Sequence, residues 1–254
     1  MRTMNVQLID FTGFGHFDPF YAARKLATAK NTRLGSIEAA RERAADLTVF
    51  QLQDELEYIA NTIRSSWEFV NYTFAVSGIS RACCDQMTRS RVGVSFAVQA
   101  QRVADKSQFD YLTPVTINNA PHLKRKFDAH MDMVRQLYAE FIASGIPAQD
   151  ARAVMPMACE SPLVAQYNLR ALADIVGKRE NLRAQGEYAA VAKQMALLVV
   201  GVHPWTKPFL YPDRTATPKL DKILRDLLGD AGPLDKPELN EALKELDKVK
   251  GVWG

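Results

Sequence analysis

The chain has 254 residues, 47% hydrophobic and 24% charged, with 32 Lys+Arg against 29 Asp+Glu and a net charge of +3. These values exclude collagen-like and linker-like sequence, and the near-balance of charge speaks against a general nucleic-acid binder. Three cysteines, two of them adjacent (Cys83, Cys84 and Cys159), make no disulfide framework and suit a reducing, cytoplasmic setting.

In chain order, Val6–Phe11 alternates and reads as a strand ended by Thr12-Gly13. Gly13-Phe14-Gly15-His16-Phe17-Asp18 resembles half a dinucleotide loop, but Pro19 stands where a helix should start, so a turn is expected. Phe50, Leu52, Leu56, Ile59 and Ile63 recur at helical spacing across Thr48–Ser66. Phe69–Val76 is aromatic and β-branched and predicts a strand closed by Ser77-Gly78. A short helix over Ile79–Arg91 and an irregular or extended Val92–Val103 follow. Leu123–Ala143 predicts a long amphipathic helix ended by Ser144-Gly145. Pro147 then starts a short helix, where its missing N–H costs nothing. Leu163–Tyr167 reads as a buried strand, with two helices across Leu169–Val200. The expected fold class is α+β, a mixed central sheet flanked by long helices, in one domain over residues 1–210. The prolines and charged helical pieces of residues 211–254 read as a helical C-terminal appendage.

Familiar catalytic sets are missing. There is no Cys-x-x-Cys, no His-Glu-x-x-His and no Gly-x-Ser-x-Gly, and His16, His122, His130 and His203 are scattered, so no metal site is expected. Arg2 and the polar residues after it do not read as a signal peptide, and the longest apolar run, Met195–Val202, is too short to span a bilayer. Cys83 and Cys84 sit on a helix with no sequence-local base and read as core thiols rather than nucleophiles. Arginines are grouped: Arg81, Arg89, Arg91 and Arg102 around one short helix, Arg152, Arg170, Arg179 and Arg183 around the later strand and helices. Guanidinium forks suit phosphate and carbonyl oxygens, and equally suit surface ion pairs.

The order of these segments resembles the flavin-dependent thymidylate synthases. Ser65-Ser66-Trp67-Glu68-Phe69 runs into Gly78-Ile79-Ser80-Arg81, then Gln86-Met87-Thr88-Arg89-Ser90-Arg91, then Ser95…Gln101-Arg102. The family signature is Arg-His-Arg, a short loop with a Ser, then Ser-x-Arg-Tyr. Ala151-Arg152-Ala153-Val154-Met155-Pro156 resembles the family's Ala-Arg-x-Val-Leu-Pro, and Asn168-Leu169-Arg170, Arg179 and Ala184-Gln185-x-Glu187 follow in family order. The resemblance spans roughly Met4–Pro204.

It implies a homotetramer with active sites at subunit interfaces, where FAD, a pyrimidine deoxynucleotide monophosphate and methylenetetrahydrofolate meet, with NADPH reducing the flavin. It implies cofactor contacts from Ser65, Arg89, Ser90, Arg91, Asn168 and Arg170. Substrate contacts are implied from Gln86, Ala100, Gln101, Arg102, Arg152 and Arg179, and a catalytic role for Arg179 facing the pyrimidine. Neither nucleic acid nor membrane is an expected partner.

The departures from the pattern suggest altered chemistry. Ser90 replaces the signature histidine, and Ile63 and Phe69 stand where the family carries histidines. Ala100 replaces a serine and Val103 a tyrosine, and the loop Val92–Gln99 is one residue longer than usual. Asp174 stands where Asn is usual. An ionised carboxylate only accepts hydrogen bonds, so Asp174 facing the base would favour cytosine's amino group over uracil's carbonyl. Asp174 therefore joins Arg179 as an expected catalytic residue. Addition of water in place of hydride would leave a hydroxymethyl group, so the expected reaction is hydroxymethylation of dCMP, with methylation of dUMP or a catalytically inactive binding homologue as alternatives.

Overall fold

The computed structural model describes residues 3–101, 107–179 and 186–211. Four strands, β1 (Asn5–Phe11), β2 (Asn71–Ser77), β3 (Val94–Val98) and β4 (Leu163–Asn168), form one sheet in the order β1-β2-β4-β3. The α+β class is as expected. Every pairing in the sheet is antiparallel, however, where a mixed sheet was expected. Alternation along a strand records which face is buried; it carries no information on the direction of the neighbour.

That alternation is clear in β2, where Tyr72, Phe74 and Val76 are buried and the intervening residues are not. Leu163, Ala165 and Tyr167 of β4 point to the same side. Helices α8 (Leu169–Arg179) and α9 (Gly186–Val202) bring Leu172, Val176, Val191, Met195 and Val199 into this core. Burying each large apolar side chain contributes about 1.5–3 kcal/mol. The opposite sheet face carries Gln7, Ala75, Ala97, Val164 and Gln166, and Val164 is 38% exposed.

Three helices fill the connection from β1 to β2: α1 (Tyr21–Asn31), α2 (Ile37–Asp46) and α3 (Val49–Thr62). The first two are elements that periodicity missed. Helix α1 buries Ala22, Ala23 and Ala27 around Leu26, so its buried face is mostly alanine and carries few large apolar side chains to mark it. Ser36 caps α2 by accepting from the Ala39 N–H, and Thr48 and Gln51 form a reciprocal capping box on α3. The expected helix Thr48–Ser66 ends at Thr62, because Ile63 leaves helical geometry and a 3-10 turn, Arg64–Phe69, leads into β2.

Helix α4 (Arg81–Met87) is shorter than the sequence suggested, and the stretch read as irregular or extended contains β3. After a short α5 (Val115–Asn118), the long α6 (Pro121–Ala143) matches its expected span to within two residues at its start. Its buried residues Met131, Val134 and Tyr138 face a region that includes a second small core around Phe109 and Cys159. Helix α7 (Ala148–Ala151) follows Pro147, and α10 (Lys207–Leu210) closes the described chain against α8. The expected appendage, from residue 212 on, lies outside the described residues. Among the described residues no helix is long and apolar enough to cross a membrane, and no cluster of three His, Cys, Asp or Glu could hold a metal ion.

Candidate active site

Asn71 at the start of β2 faces Asn168 at the end of β4, and Val94 at the start of β3 faces Tyr167. Three segments therefore converge on one end of the sheet: the turn Arg64–Phe69, the segment 88–93 and the junction of β4 with α8. They carry all six residues expected to contact the cofactor. Asn168 is 7% exposed and organises the junction. Its backbone N–H donates to the Gly93 carbonyl at 2.9 Å, and its Oδ1 accepts from the Ala171 N–H at 2.8 Å, capping α8. Arg170 is paired with Glu68 at 2.7 Å, and the Ser65 hydroxyl accepts from Arg33 at 3.0 Å. Arg89 and Arg91 are exposed and pair with no described residue.

Ser90 turns inward. Burial pushes the Tyr188 phenol up, while the Ser90 hydroxyl and Arg179 pull it the other way. Arg179 lies over the Tyr188 ring, its guanidinium carbon 4.1 Å from the centroid. It also borders a groove of about 370 Å³ with Val176, Lys193 and Tyr211. Tyr188 is a residue that sequence reasoning missed. It stands at helical spacing from the buried Val191, Ala192 and Met195, so it reads as core.

Glu187, noted in the sequence as part of a motif, has a definite task here. Its carboxylate accepts from both the Ser80 N–H and the Ser80 hydroxyl at 2.6 Å, and Ser80 in turn caps α4. The cysteines are core residues: Cys83, Cys84 and Cys159 are at most 1% exposed. Burial first, then Glu187 and Cys84, push the Cys83 thiol up to about 12 against the opposing pull of Arg179. A thiol in that state is no nucleophile at neutral pH.

Asp174 and Arg179 are not brought together. Five residues apart on α8, they point about 140° apart around the helix. Asp174 faces the other way, toward Arg64 at 3.7 Å. Both Asp174 and Arg170 thus tie α8 to the turn Arg64–Phe69. Within one chain, the two residues expected to be catalytic therefore stand on different sides of α8.

The expected substrate residues divide. Gln86 is on α4, and its Oε1 is buried with no hydrogen-bond partner among the described residues. Ala100 is exposed, and Gln101 donates to Cys159 Sγ at 3.2 Å. With the Gln99 N–H bound to the Pro162 carbonyl, this segment sits at the Leu163 end of β4, opposite to the Asn168 end. Arg152 is exposed on the 3-10 turn Arg152–Val154, upstream of the Met157 and Cys159 carbonyls that accept from the first N–H groups of α4. Arg102, Val103, Arg183 and Gln185 lie outside the described residues. The five steps along β4 from Leu163 to Asn168, at about 3.4 Å each, separate the two groups by roughly 17 Å.

The family model described as "Thymidylate synthase complementing protein" matches residues 15–205. A protein of Geobacter sulfurreducens named flavin-dependent thymidylate synthase is 33% identical over 172 residues, covering 66% of this chain and 72% of the relative. One of Nitratidesulfovibrio vulgaris, with the same name, is 36% identical over 178 residues, covering 63% and 72%. A third, of Thermococcus onnurineus, is 34% identical over 127 residues, covering 48% and 51%. The matched span takes in strands β2, β3 and β4 and both groups of arginines. On that span and those identities, this chain belongs to the thymidylate synthase complementing protein family, the flavin-dependent thymidylate synthases.

Proposed function

We propose that this protein transfers a one-carbon unit from methylenetetrahydrofolate to C5 of a pyrimidine deoxynucleotide monophosphate, using FAD, and that its reaction is the methylation of dUMP to dTMP. The observation that carries the reading is the junction at Asn168. There a pinned loop presents Arg89 and Arg91, unpaired with any described residue, beside Ser65, Arg170 and the buried Asn168 amide. Gln86 Oε1, buried without a partner among the described residues, is suited to a donor from a bound ligand. This donor set fits FAD: Arg89 and Arg91 are suited to its anionic or electron-rich parts, Ser65 with Arg33 to its phosphates. When bound, FAD supplies reducing equivalents drawn from NADPH.

The chain's own contribution is orientation and charge. Arg179, held against Tyr188, offers fixed donors to negative charge developing on the pyrimidine ring. Donors of this kind are worth about 3–4 kcal/mol each. Arg152 and Arg102 are assigned to the nucleotide phosphate. Cofactor residues and Gln101 with its neighbours sit at opposite ends of one β4, which supports sites completed between copies in a homotetramer. A cytoplasmic setting goes with this reading.

A second reading is hydroxymethylation of dCMP. Ser90 in place of the signature histidine, next to Tyr188, is what favours it. Asp174 supports it less than expected, since it faces Arg64. The test is incubation with FAD, NADPH and methylenetetrahydrofolate, offering dUMP and dCMP together, with products read by mass spectrometry. Methylated dUMP is the expected product. Hydroxymethylated dCMP would replace the first reading with the second, and no product with flavin bound would leave a binding protein.

A further inference from the structure

Helix α6 buries one stripe and leaves another bare. Met131, Val134 and Tyr138 are covered, while Lys126, His130, Met133, Leu137 and Glu140 are exposed. The bare residues are spaced 4, 3, 4 and 3 apart, the spacing of a helix seam that faces another helix. Two large apolar side chains stand at its centre, Met133 at 59% and Leu137 at 39% exposure. Along the seam's edge run Ala129, Gln136 and Ala143, small or polar residues that allow close approach. The helix itself is 23 residues, about 35 Å, and its described neighbours include the short elements α5 and α7.

The charges at the ends of the seam are opposite and equidistant from its middle. Lys126 lies seven residues before Met133 and Glu140 seven after it. Neither pairs with any described residue. A two-fold axis at Met133 aligns each with its opposite: Lys126 meets Glu140 of the partner subunit, His130 meets Leu137 of the partner subunit, and Met133 meets Met133 of the partner subunit. A two-fold contact must be self-complementary in this way. A shift of the axis by half a turn along the seam sets Lys126 against the partner's Leu137 and leaves Glu140 unpaired, so the charges select the register.

We infer that α6 mates antiparallel with α6 of a second copy of this chain, about a two-fold axis at Met133. The inference rests on the self-association proposed above and names the surface that makes it. The experiment uses the full chain. Light scattering first gives the mass of the unmodified protein. Met133→Cys is then exposed to a mild oxidant, with His122→Cys, also on α6 but eleven residues from the axis, as control. The three native thiols are buried, so the introduced thiol is the reactive one. A disulfide-linked dimer from Met133→Cys and not from His122→Cys is expected. Lys126→Glu should weaken association roughly tenfold through like charges at two symmetric contacts, and adding Glu140→Lys should restore it. An assembled protein in which Met133→Cys stays unlinked would overturn the α6 contact while leaving self-association intact. A monomeric unmodified protein would overturn both.

Discussion

Gly93 and Asn168 are packed so closely that a Cβ on Gly93 would stand 2.5 Å from the Asn168 amide nitrogen. Gly93 also has φ +70°, a conformation that L side chains rarely adopt. The contact joins the segment carrying Arg89, Ser90 and Arg91 to the end of β4. Gly93→Ala should therefore cost about 1–2 kcal/mol in backbone conformation alone, with further cost from displacing the amide. Thermal unfolding should register the loss, and flavin affinity should fall with it.

Glu187 holds Ser80 by two short hydrogen bonds, one to its N–H and one to its hydroxyl. Glu187→Ala leaves both donors without that partner at the start of α4. A destabilisation of about 1–3 kcal/mol is expected in chemical denaturation, more than from removing an exposed ion pair. Glu187 also helps to hold the Cys83 thiol up. Its loss should lower that pKa, yet burial, the larger cause, should keep the thiol slow toward alkylating reagents in the folded protein.

His203 is 4% exposed, and its Nδ1 lies 3.0 Å from the Tyr72 hydroxyl. Burial pushes it down to about 4 from an ordinary 6.5. The unfolded chain therefore takes up a proton here between pH 6.5 and 4 that the folded chain does not. Its contribution is fully present above pH 6.5 and is lost as pH falls toward 4, with a slope of at most about 1.4 kcal/mol per pH unit. Unfolding measured across that range should show this slope, and His203→Gln should flatten it.

Asp174 and Arg64 form an ion pair with side chains 43% and 58% exposed. Exposed pairs contribute about 0–1 kcal/mol. Asp174→Asn should leave the melting temperature nearly unchanged. The same variant separates the two readings of the reaction: dUMP methylation predicts an unchanged dCMP/dUMP product ratio, and dCMP hydroxymethylation predicts a shift toward dUMP.

Much of the candidate site was legible in residue order. The family resemblance named Arg89, Arg91, Asn168, Arg170 and Arg179 as expected contacts, and the structure gathers the first four at one end of the sheet. The orientation of Asp174 was not legible, because its neighbour Arg64 comes from a segment 110 positions earlier in the chain. Tyr188 was hidden for a different reason: a buried aromatic at helical spacing looks the same whether or not it backs a functional arginine.

Local patterns in the chain determined the strands β1, β2 and β4, the long α6 with its Ser-Gly end, and the burial of the cysteines. Each of these depends on side chains within a few positions of one another, through alternation, periodicity or capping. Strand direction, the helices α1 and α2, the division of site residues between opposite ends of β4 and the bare stripe on α6 were decided by tertiary structure. Those features depend on contacts between distant segments, and a side chain's local pattern fixes which face is apolar without fixing what that face meets.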